Sequence, residues 1–160
     1  MAMTWTEEQN TVILLAKLKE LEGAVSAFYA AFAEKAPPAD KAFWLMLSKA
    51  EYTHMRNIDR MKDIFRKKKS EFSIGIPLDW HDVENVTIGI RGKTELVEID
   101  GLKPETFLAQ AKQIETGILE SKYNEIIKAK DPEYISLCSL IVAETRSHYQ
   151  AIEEKLKMQK

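Results

Sequence analysis

Four helical stretches of the chain each set at least one acid where an apolar residue belongs. Glu22 follows Leu15 and Leu18 and precedes Val25 and Tyr29 at offsets that put all five on one helix face. Glu51 lies between Leu47 and Ile58, with His54 three residues on, so a carboxylate and an imidazole project from one face a turn apart. Glu115 has Leu108 and Ala111 behind it and Ile118 and Leu119 ahead; Glu144 follows Leu137 and Leu140 and comes four residues before His148. An isolated buried carboxylate costs several kcal/mol, and four converging ones repel, so a cation must offset them. Hard carboxylate oxygens and borderline imidazole nitrogens suit iron or manganese, and a metal pair lets a carboxylate bridge. Any one of these acids alone fits an exposed helix position. Their recurrence on four successive helices, in the order acid, acid plus histidine, acid, acid plus histidine, points to a metal site at Glu22, Glu51, His54, Glu115, Glu144 and His148.

The elements that position them read as two helical hairpins in one domain spanning 1–160. The first, about 6–66, holds a helix from Thr6 to Ala36, ended by Pro37-Pro38, and a second that Asp40 can open and that runs to about Phe65. The second hairpin, about 104–157, begins at Pro104-Glu105, runs through Phe107, Leu108, Ala111, Ile118, Leu119 and Ile126, and restarts at Asp131-Pro132, an N-cap and first-turn pair. Between them, from about 70 to 103, the helical period disappears. Gly75, Pro77, Gly89, Gly92 and Gly101 punctuate Val86-Thr87-Ile88 and Leu96-Val97-Glu98-Ile99, which read as short extended pieces with a small hairpin around Arg91-Gly92-Lys93-Thr94. A connection of that length can cross from one end of a bundle to the other, so the expected fold is all-α, a four-helix bundle with a long crossover between helices two and three.

Composition narrows the function. Of 160 residues, 45% are hydrophobic and 30% charged, the balance of a folded domain, and 23 basic against 25 acidic residues leave no footprint for nucleic acid. The one basic cluster, Arg66-Lys67-Lys68-Lys69, falls where a helix ends and complements its dipole. Cys138, the single cysteine, sits in an apolar run as a buried, inert thiol, and no Cys-x-x-Cys pair exists for a rubredoxin-type iron site. His81 reads as a linker residue and Trp80 as its anchor on the bundle. No long apolar run suggests a membrane span and the first residues are polar, so the expected location is cytoplasmic.

Glu22-Gly-Ala-Val-Ser-Ala-Phe-Tyr29, Ala50-Glu51-Tyr52-Thr53-His54, Ala111-Lys-Gln-Ile-Glu115 and Ala143-Glu144-Thr145-Arg-Ser-His148-Tyr149, in this order, resemble the rubrerythrin branch of the ferritin-like superfamily, in a short form without a rubredoxin domain. The resemblance covers both hairpins and leaves 70–103 aside. It implies a non-haem di-iron centre, with manganese or another divalent metal as alternatives, that reduces hydrogen peroxide with electrons from an external donor protein. It also implies Glu22 and Glu115 as terminal ligands, Glu51 as a bridge, His54 as an imidazole ligand, Tyr29 as a hydrogen-bond partner of a ligand, and, by analogy, a homodimer. The pattern departs in helix four, where the family's second bridging glutamate, three residues before the histidine, is Thr145, and in helix three, where Tyr123 follows Glu115 by eight residues instead of seven. A non-catalytic metal-storage or sensing bundle, and a helical interaction domain with a degenerate site, are the competing functions.

Overall fold

Capping and proline chemistry set the first hairpin. Helix α1, Trp5–Lys35, opens on a reciprocal capping box: the Thr4 hydroxyl accepts from the Glu7 backbone at 3.1 Å and the Glu7 carboxylate accepts from the Thr4 backbone at 3.0 Å. Pro37 and Pro38 stop it, and α2 follows as Lys41–Lys67. Asp40 precedes α2 without capping it through its side chain, which meets Lys155 at 3.4 Å instead. The computed structural model describes residues 2–117 and 123–159, and among these the chain is all-helical apart from one small sheet.

The basic cluster does end a helix. Lys68 Nζ donates to the buried Asp131 at 2.6 Å and Lys69 pairs with Glu8 at 3.3 Å, so two of its cations tie the foot of α2 to Asp131 and to α1. After it, Phe72–Ile74 forms strand β1, the only extended piece of the 70–103 segment. The expected strands and hairpin there are replaced by a helix, α3, Trp80–Glu98, capped by Asp79, whose carboxylate accepts from the His81 backbone at 2.9 Å. Its β-branched residues have low helix propensity, but Val83, Thr87, Ile90 and Val97 fall on one helical stripe and are buried, and tertiary burial outweighs propensity. Gly89 and Gly92 are not turn residues; a β-carbon at either would meet nothing within 4 Å. The helix ends where Asp100 takes a left-handed φ of 61° and the Gly101 backbone bonds Leu96 O. Trp80 packs against the core with Lys17 5.7 Å above its ring, and His81 is a surface residue.

The third long helix is also shorter than its periodicity suggests. Helix α4 covers Phe107–Glu115, and Thr116 closes it by bonding its hydroxyl back to Lys112 and Gln113 carbonyls. Ile118 and Leu119 lie outside the described residues. Helix α5, Tyr123–Ile126, leads into strand β2, Ile127–Ala129, which pairs antiparallel with β1 (Phe72 opposite Ala129). That pairing ends the helical run at Ile126, the last apolar residue of the expected third helix. Helix α6, Pro132–Met158, begins at the N-cap Asp131, as expected.

Side-chain pairs fix the helix directions. Ser26 with Ser48 and Lys19 with Asp59 make α1 and α2 antiparallel; Glu115 with His148 and Lys112 with Glu153 do the same for α4 and α6; Arg60 with Glu133 sets α2 against α6. Lys17 with Glu84 and Lys35 with Asp100 make α3 parallel to α1. Helix α3, about 28 Å long at 1.5 Å per residue, is therefore the element that carries the chain from the foot of α2 towards the start of α4. Aromatic layers close the core: Phe28, Phe32, Trp44 and Phe107 above the acids, with Phe32 and Phe107 stacked at 4.0 Å, and Phe65, Phe72 and Tyr134 below. Cys138 is buried beside Tyr134 and burial pushes its thiol up to about 12, the inert state expected of it. No helix among the described residues is long and apolar enough to cross a membrane.

Gly75 joins β1 to the opposite chain so closely that a β-carbon there would lie 1.8 Å from Glu125 O. Gly75→Ala is expected to cost about 1–3 kcal/mol, as overpacking does. Gly89→Ala, in a helix with open space around it, is expected to leave stability unchanged or raise it by up to about 1 kcal/mol. Urea denaturation of the two variants checks the pair, and equal effects would contradict it.

Candidate metal centre

Five of the six acids and histidines singled out in the sequence meet in one place, and the sixth, Glu144, touches them through His54. Glu22 and Tyr29 come from α1, Glu51 and His54 from α2, Glu115 from α4, and Glu144 and His148 from α6. Glu22, Glu51 and His54 are 0% exposed, and Glu115 and His148 are buried. Two groups of ligand atoms form, Glu22 with Glu51 and His54, and Glu51 with Glu115 and His148, each with its atoms within 4.8 Å of one another. Glu51 belongs to both: its Oε2 faces His54 Nδ1 at 3.2 Å and its Oε1 faces His148 Nδ1 at 3.2 Å. The outer carboxylates complete each group, Glu22 Oε2 at 3.8 Å from His54 Nδ1 and Glu115 Oε1 at 3.7 Å from His148 Nδ1. The imidazoles lie nearly parallel, 24° between planes, with centroids 5.9 Å apart.

Two tyrosines brace the outer carboxylates across the hairpins. Tyr29 Oη donates to Glu115 Oε1 at 2.7 Å, and Tyr123 Oη donates to Glu22 Oε1 at 2.8 Å. Tyr29 thus bonds a candidate ligand, the contact that the resemblance implies for it. Tyr123 was legible only as an eight-residue interval after Glu115, and that interval is not one helix, because α4 ends at Glu115. Glu144 stands apart from both groups: its Oε2 meets the outer nitrogen of His54, Nε2, at 2.6 Å. Thr145, at the position of the expected second bridge, is buried and bonds its hydroxyl to Ile141 O at 2.8 Å.

The charges of the cluster are balanced by protons. Burial, then the charge of Glu51, pushes Glu22 up to about 8. For His54 burial opposes the charge, but the facing carboxylates of Glu22 and Glu51 prevail and raise it to about 11. Glu51 is held below the usual carboxylate range, burial being outweighed by hydrogen bonds with His148 and His54.

A metal ion fits this donor set. Three buried carboxylates and two imidazole nitrogens suit a first-row divalent ion. Glu22 Oε2 is buried with no hydrogen-bond partner among the described residues, an acceptor that protein chemistry alone leaves unused. Separations of 3.2–3.8 Å between facing donor atoms are close to those of ligands sharing one ion at about 2.0–2.2 Å. Fold and site together define an all-helical protein with a buried carboxylate–histidine cluster able to hold metal. Comparison with protein-family models, curated proteins and solved structures gave no match.

Proposed function

We propose that the chain is a ferritin-like four-helix bundle holding a non-haem dinuclear metal centre, iron foremost and manganese as an alternative, and that it reduces hydrogen peroxide with electrons from a separate donor protein. The observation that carries this is Glu51, whose two oxygens address two histidines from two helices, with a further glutamate on each side. The helix directions, and the crossover made by α3, support the ferritin-like arrangement. When bound, such a pair of ions exchanges electrons with peroxide. The protein's part is to orient the ligands. Tyr29 and Tyr123 each fix one oxygen of an outer glutamate, and the aromatic layers exclude water from the buried carboxylates. Exposed Leu45, Met46 and Tyr52 on α2, with Ile135 and Leu140 on α6, offer apolar surface for pairing as a homodimer.

Thr145 favours a second version of the same function. With one carboxylate bridge instead of two, the centre suits holding metal for storage or sensing without turnover. Anaerobic loading with ferrous iron followed by peroxide separates the two. Two irons per chain and a near-ultraviolet band that appears on oxidation and is cleared by reductant support the peroxidase. Two irons without catalytic turnover support storage, and less than one tightly held ion overturns both in favour of an interaction domain.

A further inference from the structure

The two metal positions are built unequally, and the cause is the acid of α6. His54 is gripped at both nitrogens: Nδ1 faces Glu51 Oε2 at 3.2 Å and Glu22 Oε2 at 3.8 Å, while Nε2 meets Glu144 Oε2 at 2.6 Å. So short a contact is a charge-assisted hydrogen bond from Nε2–H to the carboxylate. With a metal in place of the Nδ1 proton, this bond would keep the remaining proton on Nε2, hold the ring plane and make Nδ1 a stronger ligand. His148 presents Nδ1 to Glu51 and Glu115 in the same way, but no acid among the described residues lies within ion-pair distance of its Nε2.

The helices explain why. On α2 the acid stands three residues before the histidine, as Glu51, and the position four before it is Ala50. On α6 the order is reversed: Thr145 is three before His148 and Glu144 is four before. One residue is about 100° of helix rotation, enough to turn the carboxylate away from the space between the ions and toward the outer side of His54 on α2. The shift removes an inner ligand that would have served both positions and adds an outer support at His54 alone, and it is this support that favours one position over the other.

Building on the metal-binding function above, we infer that Glu144 is a positioning residue for His54, so that the Glu22–Glu51–His54 position fills first and the Glu51–Glu115–His148 position fills second and more weakly. Loss of such an outer carboxylate costs about tenfold to a hundredfold in metal affinity, which sets the expected gap between the positions. Glu144 is 35% exposed, so its isosteric replacement leaves the core packing in place.

The test is titration of the metal-free full chain with Mn²⁺, followed by calorimetry and by electron paramagnetic resonance at one and two equivalents. The wild type is expected to take the first ion about ten to a hundred times more tightly than the second, with an uncoupled mononuclear spectrum at one equivalent. Glu144→Gln is expected to weaken the first ion by that factor, leave the second unchanged and alter the mononuclear spectrum. His148→Ala is expected to remove only the weaker ion, and His54→Ala the tighter. Two ions of equal affinity in the wild type, or a Glu144→Gln variant that changes neither ion or both alike, would overturn the inference while leaving the metal centre standing. A wild type that binds no Mn²⁺ and no Fe²⁺ would overturn the centre itself, and the inference with it.

Discussion

Glu51→Ala is expected to abolish tight binding of both ions, whereas Glu22→Ala and Glu115→Ala each weaken one. Glu51 is the only residue common to the two ligand groups, and its two oxygens face different histidines. Its loss removes a ligand from each position and the charge that neutralises both. The expected fall is at least about a hundredfold at each position, more than for an outer-sphere partner. The metal-free protein suffers as well. His54 is buried and raised to about 11 chiefly because the facing carboxylates of Glu22 and Glu51 overcome burial, so without Glu51 it either loses its proton or stays a poorly compensated buried cation. Removing one member of a buried ion pair costs about 3–5 kcal/mol. Metal analysis per chain after dialysis, beside a thermal melt of the metal-free form, reads both effects. Glu51→Gln separates them: it keeps the shape and a hydrogen-bonding oxygen, so it spares more stability than alanine while still losing the metals. Retention of two tightly held ions by either variant would refute the shared role of Glu51.

The residues of the candidate centre were legible because each breaks a pattern. A carboxylate among Leu15, Leu18, Val25 and Tyr29 is conspicuous on an otherwise apolar face, and the same holds for Glu51, His54 and Glu115. Glu144 was legible as inward but not in its role. Its one-residue offset from the usual spacing shows in the sequence, yet whether a 100° rotation brings it back to the ions or out to a neighbour depends on where α2 lies. Tyr123 was hidden because α4 stops at Glu115, so an interval counted along one continuous helix does not place it. Helix α3 was misread because glycine and β-branched residues carry the local signal of strands. The stripe of Val83, Thr87, Ile90 and Val97 has helical spacing, and burial against α1 decides in its favour. The β1–β2 pair joins three-residue strands more than fifty positions apart; no local periodicity reports such a partner.

The protons that balance the buried charges make a second large effect, in which the metal-free protein loses stability as pH rises. His54 is raised from 6.5 to about 11, so the folded state keeps a proton that the unfolded chain releases; this contribution is complete below about 6.5 and is lost as pH climbs toward 11. Glu22, raised from 4.5 to about 8, works in the same sense, its contribution being lost between 4.5 and 8. Glu51 is lowered, so its contribution is present above 4.5 and fails only in acid. Stability of the metal-free form is thus greatest in mild acid. Between pH 6.5 and 8, His54 alone removes about 2 kcal/mol, or about 4–8 °C of melting temperature for a chain of this size. Divalent metal inverts the trend, because it binds the deprotonated groups and must displace up to two protons, so its apparent affinity rises by up to about a hundredfold per pH unit. Melting the metal-free and Mn²⁺-loaded forms at pH 6.5 and pH 8 is expected to show the metal's stabilisation growing with pH, and His54→Gln is expected to flatten the slope of the metal-free form. A metal-free melting temperature that holds steady or rises over this range would mean that His54 and Glu22 are not protonated in the folded chain. The cluster's charges would then have to be balanced by something other than protons.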